Sequence, residues 1–312
     1  MVISFLKLIR YKNLILLAFL LIVIRYGFLK LQNIPLALSD FNYMLLIFSM
    51  VLIAAAGYVI NDIFDQDTDA INKPKLAIVG NSITESQAYN SYAFLNISGV
   101  LIGFYLANVI GKPGFASIFI VIAASLYVYA SGLKRTVLFG NILVAFLTSF
   151  TIIIVGIFDL YPILSAENQA SQAVYFRLLI DYAIFAFIIN VMREIVKDLQ
   201  DIHGDNEVGM RTLPIAIGIT KTKIGVGILA IVAVMVILNY CHTYYFLNAL
   251  YFATAYILLT VLSPLILFAI KIFSAQTSKD FAFLSRLLKV IIFFGILSAY
   301  IVTLNILHNA KG

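Results

Sequence analysis

Acidic side chains are scarce in this 312-residue chain, 15 in all, and they are concentrated. Asp62, Asp65, Asp67 and Asp69 crowd one window, and Glu194, Asp198, Asp201, Asp205 and Glu207 crowd another. Both windows contain D-x-x-D-x-x-x-D, with Asp62, Asp65 and Asp69 recurring as Asp198, Asp201 and Asp205 at identical offsets. On a helix those offsets put three carboxylates on one face, so each window presents an acidic stripe. Two facing stripes repel unless a cation lies between them, and an all-oxygen ligand set suits Mg²⁺. Magnesium keeps waters and shares its shell with substrate phosphates, so the pattern implies a phosphorylated ligand. Lys73, Lys75, Lys134, Arg135, Lys197 and Arg211 are the cations expected to hold diphosphate oxygens. Neutralising a departing diphosphate would leave an allylic cation for an acceptor to attack. Tyr58, Phe64, Tyr127 and Tyr129 could offer their π-faces to that cation.

Each feature also has a plainer reading. An acidic loop can simply be solvated, although its repetition at fixed spacing argues for use. Lys134 and Arg135 could anchor the topology, the aromatics could pack, and Gly57 and Gly140 could permit close helix approach. Arg177 and Asp181, four apart, could form a pair within one helix. Around Gly209 to Pro214, phosphate contact by Arg211 and Thr212 competes with structural capping.

The elements that position these residues follow from composition. Hydrophobic residues make up 62% of the chain and charged residues 12%, about half the share usual in soluble domains. The apolar residues fall in runs near the ~20 residues that cross hydrocarbon, at roughly 13–30, 43–61, 88–110, 115–132, 137–157, 174–194, 221–239, 247–271 and 286–306. The expected fold is therefore all-α: a polytopic membrane protein of about nine spans forming one domain over residues 1–312. Asp-rich motifs at 61–74 and 193–214 follow spans 2 and 6. The first run is too long for a signal-peptide core and reads as a span. Most of the 21 Lys and Arg fall on one side when the N-terminus is cytoplasmic, which places both motifs on that side. The net charge of +6 then reflects topology and anionic membrane lipids, with no nucleic-acid partner required. One cysteine, Cys241, excludes an internal disulfide, and three scattered histidines make no imidazole metal site.

At these residues the sequence resembles the UbiA superfamily of intramembrane prenyltransferases. The signature N-D-x-x-D-x-x-x-D is matched by Asn61, Asp62, Asp65 and Asp69. The second, D-x-x-x-D followed by G-x-K/R-S/T, is matched by Asp201, Asp205, Gly209, Arg211 and Thr212. Tyr127 through Lys134-Arg135 to Gly140-Asn141 is similar to the family's connection between its fourth and fifth helices, and Arg10 and Asn13 to its N-terminal R-P-x-N. Lys73-Pro74-Lys75-Leu76-Ala77 departs from the usual R-P-x-R-P, and Tyr11 from the N-terminal Pro.

The resemblance implies nine helices around a central cavity and Mg²⁺ held by Asp62, Asp65, Asp69, Asp201 and Asp205. With Asp198, those carboxylates would be catalytic. Substrate contacts would come from Asn61, Lys73, Lys134, Arg135, Asn141, Lys197, Arg211, Arg10, Tyr58 and Tyr127. An isoprenyl diphosphate would be the donor. Arg193 to Pro214, with Lys197 and Asp198, looks most like the digeranylgeranylglyceryl phosphate synthases, which implies geranylgeranyl diphosphate as donor and geranylgeranylglyceryl phosphate as lipid acceptor. An aromatic acceptor, whose carboxylate Arg10 could meet, a terpene cyclase and a membrane transporter are the rival readings.

Overall fold

Hydrocarbon offers the backbone no hydrogen-bond partner, so each apolar run must satisfy its own peptide groups as a helix. The computed structural model describes residues 2–72 and 77–310. Among them nine helices are long and apolar enough to cross a bilayer. They are Tyr11–Gln32 (span 1), Asp40–Phe64 (span 2), Glu85–Val109 (span 3), Pro113–Ser131 (span 4), Phe139–Ile163 (span 5), Gln169–Glu207 (span 6), Ile219–Phe246 (span 7), Tyr251–Ser274 (span 8) and Ser278–Asn309 (span 9). The expected spans are all present, most of them longer than the apolar windows because helices continue into the polar interface. Span 6 is 39 residues long, or about 58 Å at 1.5 Å per residue. The hydrocarbon core is only ~30 Å thick, so an end of span 6 projects beyond one face.

Caps fix where several spans begin. Ser39 accepts a hydrogen bond from the Asn42 N–H, and Thr84 with Gln87 and Thr277 with Asp280 form reciprocal capping boxes. One apolar core joins spans 1 to 6 with span 9, and a second joins spans 6 to 9. A third gathers the motif-side ends of spans 1 to 4. Spans 2 and 3 approach closely at Gly99, where a Cβ would stand 2.7 Å from Ile53 Cγ1. There Ser49 donates its hydroxyl to the Gly99 carbonyl at 2.7 Å. Small residues let membrane helices meet in this way.

At the end opposite the motifs, Arg25 of span 1 is paired with Asp159 of span 5 at 3.0 Å, with side chains 2% and 0% exposed. The Arg25 guanidinium also donates to the Leu38 carbonyl and lies over the Tyr43 ring, while Asp159 accepts the Leu38 N–H. Both residues sit on π-helical turns, Val23–Leu29 and Gly156–Leu160. Arg25 is thus a buried clasp between spans 1, 2 and 5.

Asp181 accepts the Tyr240 hydroxyl at 3.1 Å, and no Arg177–Asp181 ion pair forms among the described residues. The two acidic windows also differ in backbone. Asp198, Asp201 and Asp205 ride on the unbroken helix of span 6. The first window breaks at Asp65, which caps span 2, and a short helix, Gln66–Asn72, carries Asp69. Gln66 donates its side-chain amide to the Ile63 carbonyl at 3.0 Å, a local bond that competes with helix continuation.

Candidate active site in the central cavity

The two carboxylate sets meet at one cavity of about 650 Å³. Span 2 and the short helix after it contribute Asn61, Asp62, Asp65 and Asp69, and span 6 contributes Glu194, Asp198, Asp201 and Asp205. Deeper in, the wall turns apolar along Leu16, Leu17, Leu20, Leu147, Ile292 and Ile296. A smaller cavity of about 100 Å³ shares Leu20, Ile292 and Ile296 and extends this apolar path toward Tyr182 and Tyr245. A charged mouth above a greasy shaft suits an amphiphile with an anionic head.

Cations stand among the carboxylates. Arg10 pairs with Asp62 at 2.9 Å, and its guanidinium lies 5.0 Å from the centre of the Tyr58 ring. Burial works most strongly against the Arg10 charge, but Asp62, Tyr58 and Asp65 together outweigh it and raise the pKa. Lys134 reaches Asp65 at 2.6 Å from the turn Leu133–Arg135 between spans 4 and 5. Burial pushes its ammonium below the usual value, with Asp65 opposing. Gly140 lies tight under that turn: a Cβ there would stand 2.8 Å from both the Leu133 carbonyl oxygen and the Lys134 Cα. Asn61 donates to Asp65 at 2.5 Å, and Asn141, buried behind the wall, donates to Asp198 at 2.8 Å. Lys197 bonds Glu194 at 2.9 Å.

Not every residue singled out from sequence lines the cavity. Asn61, Asp62, Asp65, Asp69, Asp198, Asp201, Asp205, Lys134, Lys197, Arg10 and Tyr58 do. Tyr127 is turned away, exposed at 43% and in ring contact with Phe64 and Tyr92. Tyr129 lines the cavity instead, because residues two apart on a helix point in nearly opposite directions. The Tyr58 face is already covered by Arg10, so this ring holds a cation of the protein. Arg135 and Arg211 are exposed and outside the lining; the Arg135 carbonyl accepts the Arg211 N–H at 2.9 Å, tying the two loops together. Thr212 takes the inward position, with a buried hydroxyl that has no hydrogen-bond partner among the described residues. Lys73, with Pro74 and Lys75, lies outside the described residues.

Sequence reasoning passed over Arg193, Asn13 and Lys289 as site residues, and all three line the cavity. Among the described residues no three His, Cys, Asp or Glu side chains form a closed metal cage. The donors are carboxylate oxygens on two walls, an open set that a hydrated Mg²⁺ sharing diphosphate oxygens fits. The Thr212 hydroxyl, without a partner among the described residues, is a further donor facing the cavity.

The model of the UbiA prenyltransferase family matches residues 16–294. Among curated proteins, the chain is 33% identical to a digeranylgeranylglyceryl phosphate synthase of Methanothermobacter thermautotrophicus over 80% of this chain and 82% of that one. It is 36% identical to the synthase of that name from Korarchaeum cryptofilum, where the match spans only 59% of either chain. Among solved structures, a digeranylgeranylglyceryl phosphate synthase in membranes superposes with a TM-score of 0.59 at 24% identity, covering 97% of this chain and 98% of that one. A UbiA homologue from Archaeoglobus fulgidus bound to GPP and Mg²⁺ gives 0.59 at 15% identity, over 95% and 99%. At these identities the superpositions establish a shared fold.

Proposed function

The chain belongs to the UbiA prenyltransferase family, and from that premise we propose that it moves a prenyl group, of geranylgeranyl type, from its diphosphate to a phosphate-bearing lipid such as geranylgeranylglyceryl phosphate. The observation that carries this reading is the single cavity that joins two carboxylate sets and buried cations to an apolar shaft. Relatives named for that synthesis support the acceptor class. The asymmetry of Lys and Arg supports a cytoplasmic position for the motifs.

Asp62, Asp65, Asp69, Asp201 and Asp205 are the residues that would hold Mg²⁺, which when bound would neutralise charge building on the departing diphosphate. Lys134 and the Thr212 hydroxyl supply donors to the diphosphate oxygens, and Arg10 holds Asp62 in place. The allylic C1–O bond breaks with its electron pair leaving on diphosphate, and the Tyr129 ring faces the resulting cation. The acceptor hydroxyl oxygen forms the new C–O bond, and its proton passes to Asp198, oriented by Asn141. The apolar shaft excludes the water that would otherwise quench the cation. The family assignment removes the transporter reading.

The test is diphosphate release by purified protein with Mg²⁺ and geranylgeranyl diphosphate, with product mass recorded. Geranylgeranylglyceryl phosphate, 4-hydroxybenzoate, 1,4-dihydroxy-2-naphthoate and no acceptor are compared. Release that requires the glycerol phosphate and yields a doubly prenylated lipid is expected. Release with an aromatic acceptor alone, or equally with none, refutes the assignment.

A further inference from the structure

At the junction of spans 1, 6 and 9 the cavity wall carries Asn13, Arg193, Lys197 and Lys289. Lys197 and Arg193 share one carboxylate, Glu194, at 2.9 and 3.2 Å. Lys289 bonds the Asn13 side-chain oxygen at 2.6 Å and makes no ion pair among the described residues. The charges that bear on it are Arg193 and Lys12, both cations. Glu194, with Asp198 beside Lys197, answers Arg193 and Lys197, which leaves Lys289 as a cation in the recess with no carboxylate partner among the described residues. The Arg193 Nε is buried and lacks a hydrogen-bond partner among the described residues. Unmatched charge and an orphaned donor at one place in a cavity describe a half-built ion pair.

We infer that this corner binds the phosphate monoester of the acceptor, through Arg193 and Lys289 with Lys197 beside them, apart from the diphosphate set around Asp65 and Lys134. A phosphate monoester carries about −1.5 to −2 at neutral pH, so it would pair with Lys289 and accept from the Arg193 guanidinium at once. The site also continues as a lipid would. Leu16 and Leu17 follow one turn from Asn13 on span 1, and Ile292 and Ile296 follow one and two turns from Lys289 on span 9. These residues form the apolar shaft that leads to the smaller cavity. An acceptor with its head at Lys289 lays its tail along that wall and its glycerol toward Asp198, five residues beyond Arg193 on the same helix. The diphosphate remains with Lys134 on the turn between spans 4 and 5.

The inference rests on the proposed acceptor class, so the experiment separates the two. Initial rates are measured for wild type, Lys289→Gln, Arg193→Gln and Lys289→Arg, each with geranylgeranylglyceryl phosphate and with its dephosphorylated alcohol, varying acceptor and donor in turn. Loss of one charge-assisted bond predicts an acceptor KM about tenfold higher for the phosphate in both Gln variants. KM for the donor and for the neutral alcohol should stay within about twofold, and Lys289→Arg should restore most of the preference. A merely structural defect would lower rates with both acceptors alike, so equal losses overturn the site, as does a preference for the phosphate that survives both Gln changes. A donor KM that rises with them assigns the corner to diphosphate and overturns it too. Wild-type failure with both glycerol acceptors overturns the proposed function itself.

Discussion

Lys134→Gln is expected to lower kcat/KM for the prenyl diphosphate by about ten- to a hundredfold. The Lys134 Nζ lies 2.6 Å from Asp65 Oδ1, with side chains 7% and 19% exposed. If metal takes Asp65 and the ammonium turns to the diphosphate, the bond it then makes is charge-assisted and shielded from water. Such bonds contribute about 1.5–3 kcal/mol, and each 1.4 kcal/mol is a factor of ten. The loss falls on the donor, because Lys134 is remote in sequence and partners from the Lys289 corner. The substitution also removes a cation that competes with metal for Asp65, so the Mg²⁺ concentration for half-maximal rate should hold or fall. Asp65→Asn should raise it. The assay is initial diphosphate release against donor at saturating acceptor, repeated across a Mg²⁺ titration. Unchanged donor parameters in Lys134→Gln, or a defect cured by extra Mg²⁺, would refute the reasoning.

Chelation by EDTA should stop diphosphate release and added Mg²⁺ should restore it, since carboxylates alone repel the leaving group; release that persists after exhaustive chelation would count against the metal. Asp198→Asn should lower kcat by about a hundredfold while leaving donor KM unchanged, because it removes a proton acceptor and keeps the Asn141 contact. Asp159→Asn removes the closer of two carboxylates from buried Arg25, leaving Asp40 at 3.5 Å, and should destabilise the protein by about 1–3 kcal/mol, read as faster thermal unfolding in detergent with donor KM preserved. Gly140→Ala should raise donor KM without touching any ligand, since its methyl group displaces the turn bearing Lys134.

Much of this was legible in the sequence. Span length and apolar runs follow from bilayer thickness, and fixed Asp offsets bring carboxylates together wherever a helix carries them. Tyr127 was legible in principle, since its spacing from Tyr129 forbids both rings from facing one cavity. Arg193 and Lys289 were not, because an isolated cation near a span end looks like a topology signal until its neighbours prove to be cations as well. Arg25 and Asp159 were hidden for the same reason: each reads as a lone charge, and only tertiary packing joins them. The break at Asp65 depends on side-chain bonds by Asn61 and Gln66 that spacing cannot reveal.

Span 6 carries Arg193, Asp198, Asp201 and Asp205 on one uninterrupted helix. Their separations are therefore dictated by helical rise, about 7.5 Å from Arg193 to Asp198 and about 18 Å from Arg193 to Asp205. An inserted or deleted residue between them would swing everything beyond it by about 100° and shift it by about 1.5 Å, so the side chains on either side of the change would lose their mutual register. The stretch acts as a gauge bar: side chains along it can be exchanged, but its length in residues cannot. The jointed first window has no such constraint, so variation in chain length among working versions of this site should accumulate after Asp69 and be missing between Arg193 and Asp205.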